Sequence, residues 1–418
     1  MLVEATGCMG GMGTSGLVTA FDPMANGEEQ LVRGLMGEIV ETLYARGMLK
    51  PDIDPNTWRK NYHHWTPFQV DGYKLVLDEF AVDTGVTINY FTKVVDVDAD
   101  AKSGTIHGVV IHNIEGFRYI HSKMFIDSTG DAVLADLCGV SCLEAGRHTP
   151  RIMPATLPSL FTGIDWSRLK GVDQTKLVLQ AIEDGHFSQP DKHLPGMSQV
   201  NRTVGYLNGG HLFNLNALRC RDLTEGVIFG RKLAREYLDF YRKYVPGCEN
   251  IEHITTASLI GIRESRRIVG EYQLGIQDYY EKRIFPDSIG VFNKSVDIHA
   301  YDNSEEEYRR YYEQYEKVGR LAPGEKFGIP YGILVPKNWC NLWVAGRCAS
   351  SDVEVHGSIR VQPACAMMGQ AAGTAAVQSL RTGKSAGELD TSILVETLRD
   401  NGAYLPQETL SHKMTRGG

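Results

Sequence analysis

Long apolar runs are missing from this 418-residue chain. No stretch approaches the roughly 18 consecutive apolar residues of a membrane helix, and the N-terminus has no charged segment followed by an apolar one. A soluble, cytoplasmic protein with no membrane partner is expected. Runs of like charge are missing too: 51 acidic side chains against 43 basic ones leave −8, mixed along the chain. Nothing therefore offers an electrostatic footprint for nucleic acid, and a small-molecule substrate is the expected partner, with a homo-oligomer left open. Cysteine is sparse and scattered. Of the eight, only Cys138 and Cys142 lie close together, and no Cys-x2-Cys pair exists, so zinc and iron–sulfur frameworks lack their spacing. Reduced, mostly buried thiols and no metal are expected. Repeats and low-complexity tracts are absent as well. With 42% hydrophobic and 22% charged residues, disordered and fibrous classes are excluded, and the length suits two or three domains.

Glycine is what the chain has in excess: 44 residues, about 10% against a usual value near 7%, which suggests backbone approaching a ligand closely. The pattern is α/β. Residues 1–4 read as the end of a strand that runs into a glycine-rich loop at 7–13. Apolar residues recurring at Leu31, Leu35, Ile39 and Leu43 predict an amphipathic helix over 29–46, and a second helix fits 73–83. Short strands at 86–90, 94–97, 106–111, 118–120 and 124–126, separated by turns at Gly104 and Gly116, form a β-meander over about 86–126. From Pro150 the texture changes to a proline-punctuated mixed segment with a long helix over 223–244. An apolar strand then follows at 342–345, a sharp turn at Gly346 and a helix over 363–380. The domains expected are 1–150, a mixed α+β substrate domain over 151–330, a return to the first domain over 331–385, and a tail over 386–418.

Three segments carry candidate chemistry. Glu4 ends a strand just before Gly10, Gly11, Met12 and Gly13, with Thr14 and Ser15 offering hydroxyls; a strand-end carboxylate before such a loop is how a dinucleotide fold grips an adenosine ribose. A frayed terminus gives the same string. The second segment is a strand ending in Thr129 and Gly130, with Asp131 as N-cap of a helix over 132–137. The third joins Gly346 and Arg347 to His356-Gly-Ser-Ile-Arg360 and the helix at Pro363. A helix N-terminus suits a phosphate or the electron-rich edge of a flavin.

In this order the segments resemble the FAD-dependent oxidoreductases of the glutathione-reductase-like superfamily, over most of the chain. Glu4 and Gly10-Gly-Met-Gly-Thr-Ser-Gly16 match the acidic strand end and flavin loop of that family, and 94–131 match its meander and closing Ile-Asp-x-Thr-Gly-Asp. Its Val-Ala-Gly-Arg, His-Gly-Ser-Ile-Arg-Val and Gly-Gln-Ala-Ala-Gly signatures stand at 344–347, 356–361 and 369–373. The resemblance implies a Rossmann-like FAD-binding domain with an inserted meander and FAD as cofactor. It implies cofactor contacts from Glu4, Gly10, Gly11, Met12, Thr14, Val94, Thr129, Gly130, Asp131, Gly346, Arg347, Ser358 and Ile359. Hydride would pass from a small organic substrate to the flavin. The related flavoprotein part of heterodisulfide reductase adds iron–sulfur motifs, which are not matched here, and neither is the redox Cys-x4-Cys of disulfide reductases. The family's first strand and its Gly-x-Gly-x-x-Gly turn are expected before Glu4, where the chain has nothing. The expectation is an N-terminally truncated domain; the alternative is a flavin-free or partner-completed binding or scaffold protein.

On the substrate side, Arg263-Glu-Ser-Arg-Arg267 matches a family motif. Arg263 is a candidate anchor for an anionic or polyhydroxylated substrate, or the motif docks the domains through ion pairs. His356 is a candidate proton acceptor and Arg360 a candidate stabiliser of reduced flavin, although His356 could equally cap the helix or meet Glu354. His63, His64 and His211 read as loop residues, since no further ligand is spaced to make a metal site.

Overall fold

The computed structural model describes residues 1–406; the part of the expected tail over 407–418 lies outside the described residues. Two parallel strand pairs carry the α/β character of the fold: Leu2–Val3 against Ile88–Asn89, and Phe125–Asp127 against Leu342–Val344. The meander is three antiparallel strands, Lys93–Asp100, Thr105–Asn113 and Gly116–His121, turning at Gly104 (φ +66°) and Gly116 (φ +102°). Of the five strands expected in the meander, the first pairs instead with Leu2–Val3 and the fifth with Leu342–Val344. Asn341 shows why: its side chain accepts from Ile106 N (2.9 Å) and donates to Ile106 O (2.8 Å) and Lys123 O (2.9 Å). That one amide locks the meander to the strand that begins at the next residue.

The first predicted helix is shorter than its periodicity suggests. It spans Leu35–Ala45, because Gly34 sits at φ +60° and breaks the helix before it can include Leu31. Leu35 is 41% exposed, and the buried face is Met36, Ile39, Val40 and Leu43. The second helix is Val70–Asp83. Both pack into the main core together with residues from 274–298, 321–345 and the long helix Gln362–Thr382. Within it Trp343 Nε1 donates to Tyr331 Oη at 2.7 Å, satisfying two buried polar groups at once. A separate core over 161–251 forms around the helix Cys220–Tyr244. Of the tail, the helix Thr391–Asp400 buries Leu394 and Leu398. Among the described residues no helix is long and apolar enough to cross a membrane.

Candidate functional site

The glycine loop is built by backbone conformations that side chains resist. Gly10 (φ +95°) and Gly11 (φ +47°) open a single 3-10 turn, Gly11–Gly13. A Cβ at Gly11 would meet nothing within 4 Å, whereas Gly13 lies against Tyr73 and the end of Gln362. Thr14 is buried and donates to Met9 O at 2.6 Å, while Met12 folds over Gly16. Gln362 Nε2 donates to Val18 O at 2.8 Å, so the loop is moored to the start of the helix Gln362–Thr382. That helix begins with Pro363 and with no side-chain cap from Val361.

Glu4 and Val94 sit together at the other end of the loop. Glu4 O accepts from Thr92 N at 3.0 Å, and its Oε1 accepts from both Thr6 N (2.7 Å) and Thr6 Oγ1 (2.8 Å), folding the chain after the strand. Val94 packs against the core shared by the meander and the parallel pair Phe125–Asp127/Leu342–Val344.

Thr129, Gly130 and Asp131 meet Gly346 and Arg347. The expected N-cap at Asp131 is corrected by the structure: the cap is Ala132, in a left-handed conformation. Thr129 Oγ1 accepts from Val133 N (3.0 Å) and Asp127 Oδ2 from Ala135 N (3.0 Å). With Thr129 and Asp127 already accepting from the first turn of that helix, the cap is made without Asp131. Asp131 is released to pair with Arg347 (2.7 Å) and accept from Ser265 Oγ (2.6 Å). Gly346 turns at φ +90° beside Cys365, whose thiol burial pushes up to about 12, so it stays protonated.

Both readings of the Arg263–Arg267 motif describe part of it. Glu264 and Arg267 form a buried ion pair at 3.2 Å, Glu264 also accepts from Met153 N, and Arg266 meets Asp136 at 2.9 Å. Those residues dock segments. Arg263 is different: it is buried, has no carboxylate partner within salt-bridge distance among the described residues and donates to Pro154 O at 2.5 Å. Burial and the nearby Arg360 lower its pKa to about 10.

His356 lies inside the short helix Val353–Ile359, whose N-cap is Asp352. Fully buried, its Nε2 is 3.0 Å from Arg263 O, which assigns the proton to that nitrogen; burial keeps the ring neutral, with a pKa well below its ordinary value. Ser358 donates to Lys294 O at 2.7 Å, and Ile359 is a core residue. Arg360 donates to Asp297 Oδ2 (2.9 Å) and Asp297 O (3.0 Å). The Asp297 side chain is only partly buried, 37% accessible. His299, Arg360 and Lys294 hold it ionised.

Around Asp297 stand groups that sequence spacing did not connect. Lys294 pairs with Asp22, and His63 lies near both. His193, His211 and His299 converge, with ligand nitrogens all within 4.8 Å of one another, backed by Asp191. The sequence singled out His211 but not the other two.

The residues present fit a flavin. Gln362 Oε1 and Arg360 Nε are buried with no hydrogen-bond partner among the described residues, both at the uncapped helix N-terminus that faces the glycine loop. Polar atoms left unmet in this way call for a polar ligand. Gly11, Gly346 and the first turn of Gln362–Thr382 are where the ring would be held, and Glu4 where the ribose would.

A family model described as FAD dependent oxidoreductase matches residues 1–399. No curated protein matches the chain. Among solved structures, a flavin-dependent brominase aligns at 12% identity and TM-score 0.41, covering 91% of this chain and 73% of its own. The myxobacterial chondrochloren halogenase, an FAD-dependent enzyme, aligns at 12% and 0.38, over 90% and 71%. A geranylgeranyl bacteriochlorophyll reductase-like protein from Thermoplasma acidophilum aligns at 10% and 0.38, over 81% and 60%.

Proposed function

The chain belongs to the FAD-dependent oxidoreductase family, and from that premise we propose that it oxidises a small anionic organic substrate held beside Arg263 and Asp297. FAD, when bound, supplies the hydride acceptor. Arg263 carries the reading: a buried guanidinium with no carboxylate partner within salt-bridge distance among the described residues is costly and suits a carboxylate or similar anion as its partner. Arg360, tied to Asp297, stands close enough to act on the same anion. His356 holds the Arg263 backbone in place, and the substrate's proton goes to the histidine group at the far side of Asp297.

Anaerobic stopped-flow reduction of the FAD-loaded protein by a panel of small hydroxy acids, against the matching alcohols, tests the proposal. Reduction by acids and not by alcohols is expected, and Arg263→Gln should raise the half-saturating acid concentration at least tenfold. Equal reduction by both classes would overturn the anionic assignment.

A further inference from the structure

Beside Asp297, three histidines from separate segments bring their ring nitrogens together. Asp191 is buried and accepts from His193 N (3.0 Å) and His211 N (3.0 Å), as well as from Tyr308 Oη; with those donors it is a carboxylate. His211 Nδ1 lies 3.0 Å from Asp191 Oδ2 without the alignment of a hydrogen bond, so the carboxylate borders the Nδ1 edge of that ring. On the other side His299 Nε2 lies 3.4 Å from Asp297 Oδ1, a carboxylate held by Arg360 at 2.9 Å. Each ring thus has a carboxylate beside one nitrogen and its other nitrogen toward the neighbouring ring. Those two nitrogens, His211 Nε2 and His299 Nδ1, face each other at 3.0 Å. That separation suits one shared proton or a cation held between them.

A third imidazole points to the kind of cation. His193 stacks on His211 (centroids 5.0 Å, 19°) and meets His299 edge-on (5.1 Å, 85°), its ligand nitrogen within 4.8 Å of both others. A shared proton needs two imidazoles; three converging imidazoles are a ligand set. Ligands about 2.1 Å from a metal stand about 3.0 Å apart at a right angle and about 3.4 Å apart in a tetrahedron, so the His211–His299 separation already fits. A carboxylate on the far nitrogen of a ligating histidine is the usual way such a ring is oriented and made more basic. Here two of the three histidines have one.

We propose that His193, His211 and His299 bind a divalent transition-metal ion of the zinc class, with Asp191 and Asp297 as the outer carboxylates that orient His211 and His299. Three protein nitrogens leave one position open, and Arg263, near His193 and His299, suits an anion there. With the ion in place, hydroxide bound at that position takes the substrate's proton and becomes water. Metal binding itself does not depend on the flavin reading, and the test separates the two.

The full chain is freed of metal with EDTA, incubated with Zn2+, separated by gel filtration and assayed for zinc by mass spectrometry and for flavin by absorbance. Calorimetric titration with Zn2+ accompanies it. One zinc per chain is expected, with at least 100-fold weaker binding in His211→Ala and His193→Ala and 10- to 100-fold weaker binding in Asp191→Asn, the range for a lost outer carboxylate. His193 is the safest of the three to truncate, being only partly buried. Wild-type protein that retains no zinc, or a His193→Ala variant that binds it like wild type, would overturn the proposal whatever the flavin content. Zinc bound without any flavin reduction by acids would leave this site standing and remove the substrate reading.

Discussion

His356 Nε2 donates to the backbone carbonyl of Arg263 across 3.0 Å, joining two segments 93 residues apart. A histidine committed in this way positions an arginine. His356→Ala leaves the carbonyl unmet at a cost of about 1–3 kcal/mol and should raise the half-saturating substrate concentration with little change in bound FAD. His356→Asn, which can still donate, should restore most of both, read from urea unfolding and steady-state kinetics.

The same residue sets a pH dependence. Burial, then the charges of Arg267 and Arg360, depress its folded-state pKa well below the unfolded value, which is near 6.5. Below about pH 6.5 the unfolded chain binds a proton that the folded chain refuses, so the stability this residue allows is full above that pH and declines as pH falls. Thermal unfolding between pH 7.5 and 5 should show a shallower decline in His356→Asn than in wild type.

Arg360 and Glu4 should divide the flavin's needs. Arg360→Ala removes a cation at the uncapped helix N-terminus and should slow flavin reduction by about 100- to 1000-fold, the loss typical of one preorganised donor, while FAD stays bound. Glu4→Ala removes the acceptor of both Thr6 bonds and should weaken FAD binding itself. Stopped-flow traces and flavin equilibrium dialysis distinguish the two; unchanged reduction in the Arg360 variant would end this assignment.

Glu264 and Arg267 are a fully buried pair. Glu264→Ala strands a guanidinium and frees Met153 N, a change expected to cost about 3–5 kcal/mol. Chemical denaturation should show the loss, and Glu264→Ala/Arg267→Met should recover part of it.

Gly13→Ala would bring a Cβ to 2.8 Å from the Tyr73 ring and onto the end of Gln362. Gln362 must then move and loses its bond to Val18 O, detaching the glycine loop from the helix. Weaker FAD binding with near-normal secondary structure is expected by titration and circular dichroism.

The sequence by itself determined the α/β class, the meander turns, the long helices and the three glycine-bearing segments, because these are local. A left-handed glycine or a 3.6-residue apolar period acts on its own neighbours, and a contiguous motif keeps its spelling wherever it folds. The residues from which the family was read, 344–347 and 356–361, are of this kind. The tertiary structure alone decided which partner each local element takes. Phe125–Asp127 reads as the end of a meander and pairs with Leu342–Val344, since an asparagine more than 200 residues away in sequence fixes the junction. Asp131 reads as a cap and becomes the partner of Arg347, because Asp127 reaches the helix first. The histidines show the limit most plainly. His211 and His299 are 88 residues apart with no spacing to connect them. They meet because separate segments pack together, and the packing of a core, unlike a turn or a period, is set by the whole chain.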